Sequence, residues 1–179
     1  MKIILIGIQG SGKSTQGVLL SKALGIPYLS TGHIFRDLAK EKTPLGREIK
    51  LIMNAGVLIS DQKTLSIVSE YLSRPEYEKG YIIDGFPRTL TQVENFSNGV
   101  DKVFYIKISD KEALWRIAGR EDVREDETLL AIRRRIDSFH KFTEPVVEHY
   151  REKGILVEVD GEQSIEVITK EILKALGKE

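Results

Sequence analysis

Ile3-Ile4-Leu5-Ile6-Gly7-Ile8-Gln9-Gly10-Ser11-Gly12-Lys13-Ser14 decides the fold. Its first four residues are apolar without alternation, the pattern of a strand buried on both faces. Gly7 to Ser14 then fits G-x-x-x-x-G-K-[ST], and Val18, Leu19, Leu20, Ala23 and Leu24 follow with helical spacing. A strand, a glycine loop and a helix in that order give the motif physical meaning. Glycine lets backbone amides converge on phosphate oxygens, and the helix N-terminus adds partial positive charge. Lys13 can reach the outer phosphates, and the Ser14 hydroxyl suits Mg2+.

Working outward, four more runs read as buried parallel strands: Tyr28 to Leu29, Tyr81 to Ile83, Val103 to Ile108 and Ile155 to Val159. Helical patterns separate them, among them Leu129, Ile132, Ile136 and Phe139. Strands alternating with helices predict an α/β fold, a parallel sheet covered by helices on both faces through right-handed crossovers. About fifty residues separate the second and third strands, where a crossover needs only a dozen or so. They read as helices at roughly 32–42, 45–55 and 61–73, an inserted subdomain. Gly119 to Asp126 is charged, has little to bury, and is expected to be a mobile surface loop. Pro145, with Thr143 as N-cap, is expected to divide the long helical stretch from about 127 to 152 into two helices.

The chain has 179 residues, the size of one domain, and its 27 Lys and Arg balance 27 Asp and Glu. That balance gives no global basic field for nucleic acid or membrane, so an anion site must be built locally. The absence of cysteine excludes disulfides, thiol nucleophiles and thiolate zinc sites. No apolar run reaches the length of a membrane span, and the first residues enter a strand instead of an export signal, so a cytoplasmic protein is expected.

Tyr81-Ile82-Ile83-Asp84 ends a second buried strand in a carboxylate, the Walker-B arrangement for holding Mg2+ directly or through its waters. No Asn-Lys-x-Asp for guanine and no LSGGQ-like segment is present. Arg116, Arg120, Arg124, Arg133, Arg134 and Arg135 place six of eleven arginines within twenty residues. Arg116 and Arg120 share a helix face with no obvious Glu between them. On the next helix Arg134 points away from the apolar stripe and reads as plain surface. Arg133 and Arg135 flank that stripe, and angle alone does not choose between them. His33, His140 and His149 read as surface or capping residues.

Gly7 to Thr15, Ser30-Thr31-Gly32 with Arg36, Gly56-Val57-Leu58-Ile59 with Asp61, Asp84-Gly85-Phe86-Pro87-Arg88 with Gln92, and Arg124 to Arg135 together resemble adenylate kinase, of the short-lid type. The matches run in family order from residue 1 to about 161, and the Asp-Gly-Phe-Pro-Arg run is specific to nucleoside monophosphate kinases. The resemblance implies a P-loop kinase fold in three layers, with a five-stranded parallel sheet of order 2-3-1-4-5. It implies one domain over 1–179: a core, an NMP-binding helical insertion at about 30–59 and a short lid at about 119–126. The implied reaction is Mg2+-dependent, reversible transfer of the ATP γ-phosphoryl group to AMP, giving two ADP. The partners are ATP, AMP and ADP, with no nucleic acid and no membrane, and the enzyme is expected to be a monomer. With no cysteine, no zinc-binding lid is expected.

Carried over residue by residue, the resemblance assigns ATP to Gly10, Ser11, Gly12, Lys13, Ser14 and Thr15, with Arg116 stacking on its base, Arg120 on its phosphates from the lid, and the Gly161 loop on the base's other side. Arg36 and Arg88 would hold the AMP phosphate, Thr31 and Gln92 would contact adenine, and Gly56, Val57, Ile59 and Gly85 would line the AMP site. Arg124 and Arg135 become clamps that join Lys13 and Arg88 in catalysis and also touch AMP. Ser14 and Asp84 would hold the metal.

The sequence departs from the family pattern at four places. Gln9 stands where Pro is usual, Ser14 where Gly is frequent, His33 where Asp is usual and Ser60 where Pro is usual. The last two touch the AMP side. A UMP/CMP kinase, a kinase for a small metabolite and a non-catalytic nucleotide-binding module are the alternatives. The first would more typically carry Ala for Thr31 and Asn for Gln92, and the others have no need for Asp-Gly-Phe-Pro-Arg-x-x-x-Gln or for arginines converging from three segments.

Overall fold

The computed structural model describes residues 1–96, 99–119 and 126–178. Five strands, β1 Lys2–Ile6, β2 Tyr28–Ser30, β3 Tyr81–Asp84, β4 Lys102–Lys107 and β5 Leu156–Asp160, form one sheet of order β2-β3-β1-β4-β5. Every pairing is parallel, with Leu5 opposite Asp84 on one side and Phe104 on the other. The five expected strands are all present, each within two residues of its expected ends. Successive side chains of a strand face opposite ways, and β1 therefore feeds two cores. Ile4 and Ile6 belong to one, Ile3 and Leu5 to the other, and all four are buried.

The second core is closed by α1 Lys13–Leu24 through Leu20 and by α9 Ile165–Ala175 through Ile168 and Ile172. The remaining helices supply the first: α2 Thr31–Lys40, α4 Asp61–Leu72, α5 Leu90–Glu94, α6 Asp110–Ala118, α7 Leu129–Ser138 and α8 Glu144–Glu152. With α3 Pro44–Asn54, the helices α2 and α4 are the expected insertion between β2 and β3. Hydroxyl side chains start most of these helices. Ser30, Thr43, Ser60, Thr89, Ser109, Thr128 and Ser164 each accept from the first turn of the helix that follows. Ser60, which replaces the family's proline, is one of these caps. Helix α1 differs: it begins at Gly12, at φ 89°, with no side chain over its first amides. Those N–H groups face the strand ends, where an anion would meet them.

One expectation is corrected. Pro145 sits in the first turn of α8, but Thr143 does not cap it: Thr143 is itself helical and makes no cap bond. A single π turn, Phe139–Thr143, joins α7 to α8, and the Thr143 hydroxyl donates instead to the Arg88 carbonyl at 3.0 Å. Arg134 is exposed, as expected, and its Nη1 donates to the Ala55 carbonyl at 3.0 Å, while Arg116 has a partner one turn back, Glu112, at 2.6 Å. The expected loop 119–126 falls, apart from Gly119 and Asp126, outside the described residues. Among the described residues no helix is long and apolar enough to cross a membrane.

Candidate active site

A cleft of about 560 Å3 lies over the C-terminal ends of the strands, the edge where parallel α/β sheets place their ligands. Gly10, Ser11, Gly12, Lys13, Ser14 and Thr15 line one side. Gly10 and Gly12 stand at φ 90° and 89°, which L side chains rarely adopt. Lys13 Nζ lies over the loop, 2.6 Å from the Gly7 carbonyl, 2.9 Å from that of Ile8 and 3.3 Å from Ser11 Oγ. The ammonium is thus held beside the amides that start α1.

Asp84 closes this side from β3. Ser14 Oγ donates to its Oδ2 at 3.1 Å, Ser30 Oγ donates to Oδ1 at 3.1 Å, and the Tyr28 hydroxyl also donates to Oδ2. Burial, then the Asp84 charge, pushes the Tyr28 phenol well above the ordinary tyrosine range, so it stays a donor. A hydroxyl and a carboxylate oxygen side by side are hard oxygen ligands. They fit a magnesium ion that takes one or two protein groups and completes its shell with phosphate and water.

Arginines gather on the opposite side. Arg36 from α2, Arg88 after β3 and Arg135 from α7 all line the cleft, with Gly32, Leu58 and Gly85. Arg88 Nε donates to the Gly85 carbonyl at 2.7 Å, which sets its direction. Burial, then the charge of Arg135, pushes Arg88 below the ordinary arginine range, and Arg36 adds to this while Asp84 opposes it. Mutual repulsion of that kind marks a receptor for a multiply charged anion, which would relieve it. Arg135 is the residue angle alone could not choose. It donates to Asp126 at 2.5 Å and to the Met53 carbonyl at 3.0 Å, so α7 meets the end of α3. Gly56 completes that contact, since a Cβ there would lie 2.6 Å from Ala131 Cα.

The other expected residues are distributed as follows. Arg116 lines the cleft, whereas Arg120 and Arg124 lie outside the described residues. Thr31 is buried, and its hydroxyl donates to the Asp84 carbonyl at 3.1 Å. Gln92 is buried with both ends of its amide engaged: Oε1 accepts from the Arg88 amide at 2.7 Å, and Nε2 donates to Asp61 at 2.9 Å. Val57 is exposed and Ile59 buried, while Leu58 between them faces the cleft. Gly161 is tucked behind the wall, its amide on the Lys107 carbonyl at 2.8 Å, and Gln163, Ser164 and Ile165 form the cleft surface.

Sequence reasoning missed several of these partners. Tyr28 reads only as a strand residue, and Thr143 only as a cap. Gln16, which anchors the α9 end of the cleft by donating to the Ile165 carbonyl at 3.0 Å and accepting from Thr169, gives no signal at all.

The family model described as adenylate kinase matches residues 5–155. The chain is 39% identical to the adenylate kinase of Kocuria rhizophila over 184 aligned positions, covering 98% of each chain. It is 35% identical to that of Caldicellulosiruptor bescii over 215 positions, covering all of both, the longer alignment holding positions that this chain lacks. It is 38% identical to that of Pseudarthrobacter chlorophenolicus, covering 98% of this chain and 96% of the relative. A parallel sheet of order 2-3-1-4-5, a glycine cradle facing an arginine cluster, and identity above 30% along the whole chain make one conclusion: this chain is an enzyme of the adenylate kinase family, a nucleotide phosphotransferase.

Proposed function

We propose that the enzyme catalyses Mg2+-dependent, reversible transfer of the ATP γ-phosphoryl group to AMP, giving two ADP. The observation that carries the reading is one cleft with two anion receptors, the amides and Lys13 at one end and Arg36, Arg88 and Arg135 at the other. A phosphotransferase with a neutral acceptor has no use for the second receptor.

The chemistry asks little of a base. A phosphate monoester has its second pKa near 6, so at neutral pH the attacking AMP oxygen is already mostly deprotonated. That oxygen forms the new P–O bond as the bond to the β-phosphate oxygen breaks, and ADP leaves without needing a proton. What remains is to bring two polyanions into line and to balance charge spread over the transferring group. Lys13 and the α1 amides hold the donor phosphates, Arg36 and Arg88 hold the acceptor phosphate, and Arg135 and Arg124 serve as clamps on the transferring group. Ser14 and Asp84 would hold magnesium, which would supply further neutralisation of phosphate charge. Thr31 and Gln92 favour adenine over a pyrimidine at the acceptor site, with Gly56, Val57, Ile59 and Gly85 beside it. Arg116, Arg120 and the Gly161 loop serve the ATP base and phosphates.

The insertion at about 30–59 and the lid at about 119–126 would close the cleft and exclude water. AMP, GMP, CMP and UMP offered in turn with Mg-ATP test the reading. AMP should be phosphorylated fastest, and faster turnover of a pyrimidine would overturn the acceptor. ATP loss without acceptor should be far slower than with AMP, and substantial hydrolysis would overturn closure.

A further inference from the structure

Asp84 is 4% exposed and takes hydroxyl donors on both carboxylate oxygens. The three donors differ in what else they do. Ser14 belongs to the phosphate loop, and its oxygen is the one offered to a cation. Ser30 is committed twice, since it also caps α2 by accepting from the His33 amide. Tyr28 gives its one hydroxyl proton to Asp84 within hydrogen-bonding reach of Ser14 and Ser30, and its ring is held. It packs with Leu24, Ile26 and Val157 against the second core, and it lies across α1 at Gly17. A Cβ on Gly17 would collide with the ring at Cε2 and Cδ2 and lie 2.8 Å from Cζ. A ring clamped between helix and sheet delivers its O–H to one place, whereas a serine hydroxyl can rotate freely.

We propose that Tyr28 is a positioning residue for the metal-holding carboxylate: its phenol sets the orientation of Asp84, keeping Oδ2 beside Ser14, and Gly17 is the space that admits the ring. The proposal rests on reading Ser14 and Asp84 as the magnesium pair. Tyr28 touches neither nucleotide nor cation in this scheme and acts through the Asp84 and Ser14 side chains it meets, as outer-shell partners of metal ligands do.

Calorimetric titration of ATP with and without Mg2+ separates the two ideas, because it reads binding and not turnover. In the native enzyme Mg2+ should tighten ATP binding. Tyr28→Phe keeps the ring and removes one hydroxyl, and it should cut that Mg2+-dependent gain by about 10-fold while leaving binding in chelator unchanged. Gly17→Ala displaces the ring and should reproduce the loss, and it carries the test if Tyr28→Phe does not fold. Added to Tyr28→Ala, Gly17→Ala should cost nothing further, since both act through one contact. A native Mg2+ gain that survives both single changes overturns the role of Tyr28. A native enzyme with no Mg2+ gain overturns the Ser14–Asp84 reading beneath it.

Discussion

Lys13, Ser14 and the amides above Gly12 come from eight consecutive residues, Gly7 to Ser14, whereas Arg36, Arg88 and Arg135 come from three separate segments of the chain. The first receptor is assembled by one turn of backbone and carries its own partners, Lys13 resting on loop carbonyls. The second exists only once α2, the turn after β3 and α7 have packed. Its cations repel one another and are held by bonds to main-chain oxygens at Gly85 and Met53. One end of the cleft is therefore a local motif and the other a product of the tertiary fold, and changes at the two ends should fail in different ways.

The sharpest way to break the acceptor end is Arg88→Ala. It removes the most crowded of the three cations, and turnover should fall by about 10²- to 10³-fold, the usual cost of one lost charge-stabilising group. Thermal stability should hold or rise, because the change relieves repulsion at a buried site. Steady-state kinetics and melting of the same preparation check both halves. Near-native turnover would remove Arg88 from the machinery.

Asp61→Ala probes the acceptor end from behind. Asp61 Oδ1 accepts from Thr89 at 2.8 Å and from Gln92 at 2.9 Å, so it fixes the amide proposed to read adenine. Loss of that acceptor leaves the buried Gln92 amide unpaired, at about 1–3 kcal/mol, while the half-buried Thr89 hydroxyl can turn to water. The KM for AMP should rise about 10-fold, roughly 1.4 kcal/mol, with the KM for ATP unchanged. Asp61→Asn keeps one carbonyl oxygen in place and should lose less. An equal rise in both KM values would mean that Asp61 supports the fold at large and not the acceptor base.

The contrast between the ends also explains what the sequence made legible. The sheet could be read because buried parallel strands are apolar throughout, and the insertion because about fifty residues exceed what a crossover needs and its three helices announce themselves by spacing. The donor loop is contiguous and so could be read whole. Arg135 could not be separated from Arg133 by helical angle, because the choice is made by Asp126 and by Met53, which is 82 positions earlier. Tyr28 escaped for the same reason. Its partner Asp84 is 56 positions away, and the space it needs is made by a glycine that looks like any helix residue. Thr143 was misread because hydroxyls near a proline usually cap, and here a π turn carries the helix through and turns the hydroxyl to Arg88.

Gln9→Ala sharpens the comparison from the donor side. Gln9 Nε2 donates to Glu127 Oε1 at 2.7 Å, which ties the phosphate loop to the entrance of α7, while Gln9 Oε1 is buried with no partner among the described residues. Removing the side chain forfeits one hydrogen bond and removes one unsatisfied carbonyl, about 1 kcal/mol each in opposite directions, so melting should barely move. The cross-cleft tie is lost all the same. ATP loss without acceptor should increase about two- to fivefold, the scale of one modest hydrogen bond. No increase would mean that closure does not draw on this contact.

The smallest expected effect lies away from both ends and serves as their control. His140 bridges α6 and α8, with Nδ1 2.6 Å from Glu144 and Nε2 2.9 Å from Asp110. The Glu144 bond, helped by Asp110 and opposed by slight burial, raises its pKa above the ordinary histidine value of 6.5. A group whose native pKa is raised stabilises the fold fully below the unfolded value and loses that contribution as pH climbs through the native one. Stability from His140 should thus be present at pH 5.5, fade above about 6.5 and be gone once the raised native value is passed. The side chain is 42% exposed, so solvent screening limits the effect to about 0.5 kcal/mol or less. His140→Gln should therefore lower the melting temperature at pH 5.5 by a degree or two, on the order of what 0.5 kcal/mol moves a domain of this size, and leave it unchanged well above the native pKa. Neither KM should respond at any pH, because the bridge joins two helices without touching either receptor. A shift in the KM for ATP or AMP would show that the α6–α8 tie feeds the cleft, and the two ends could then no longer be treated as independent of the helices behind them.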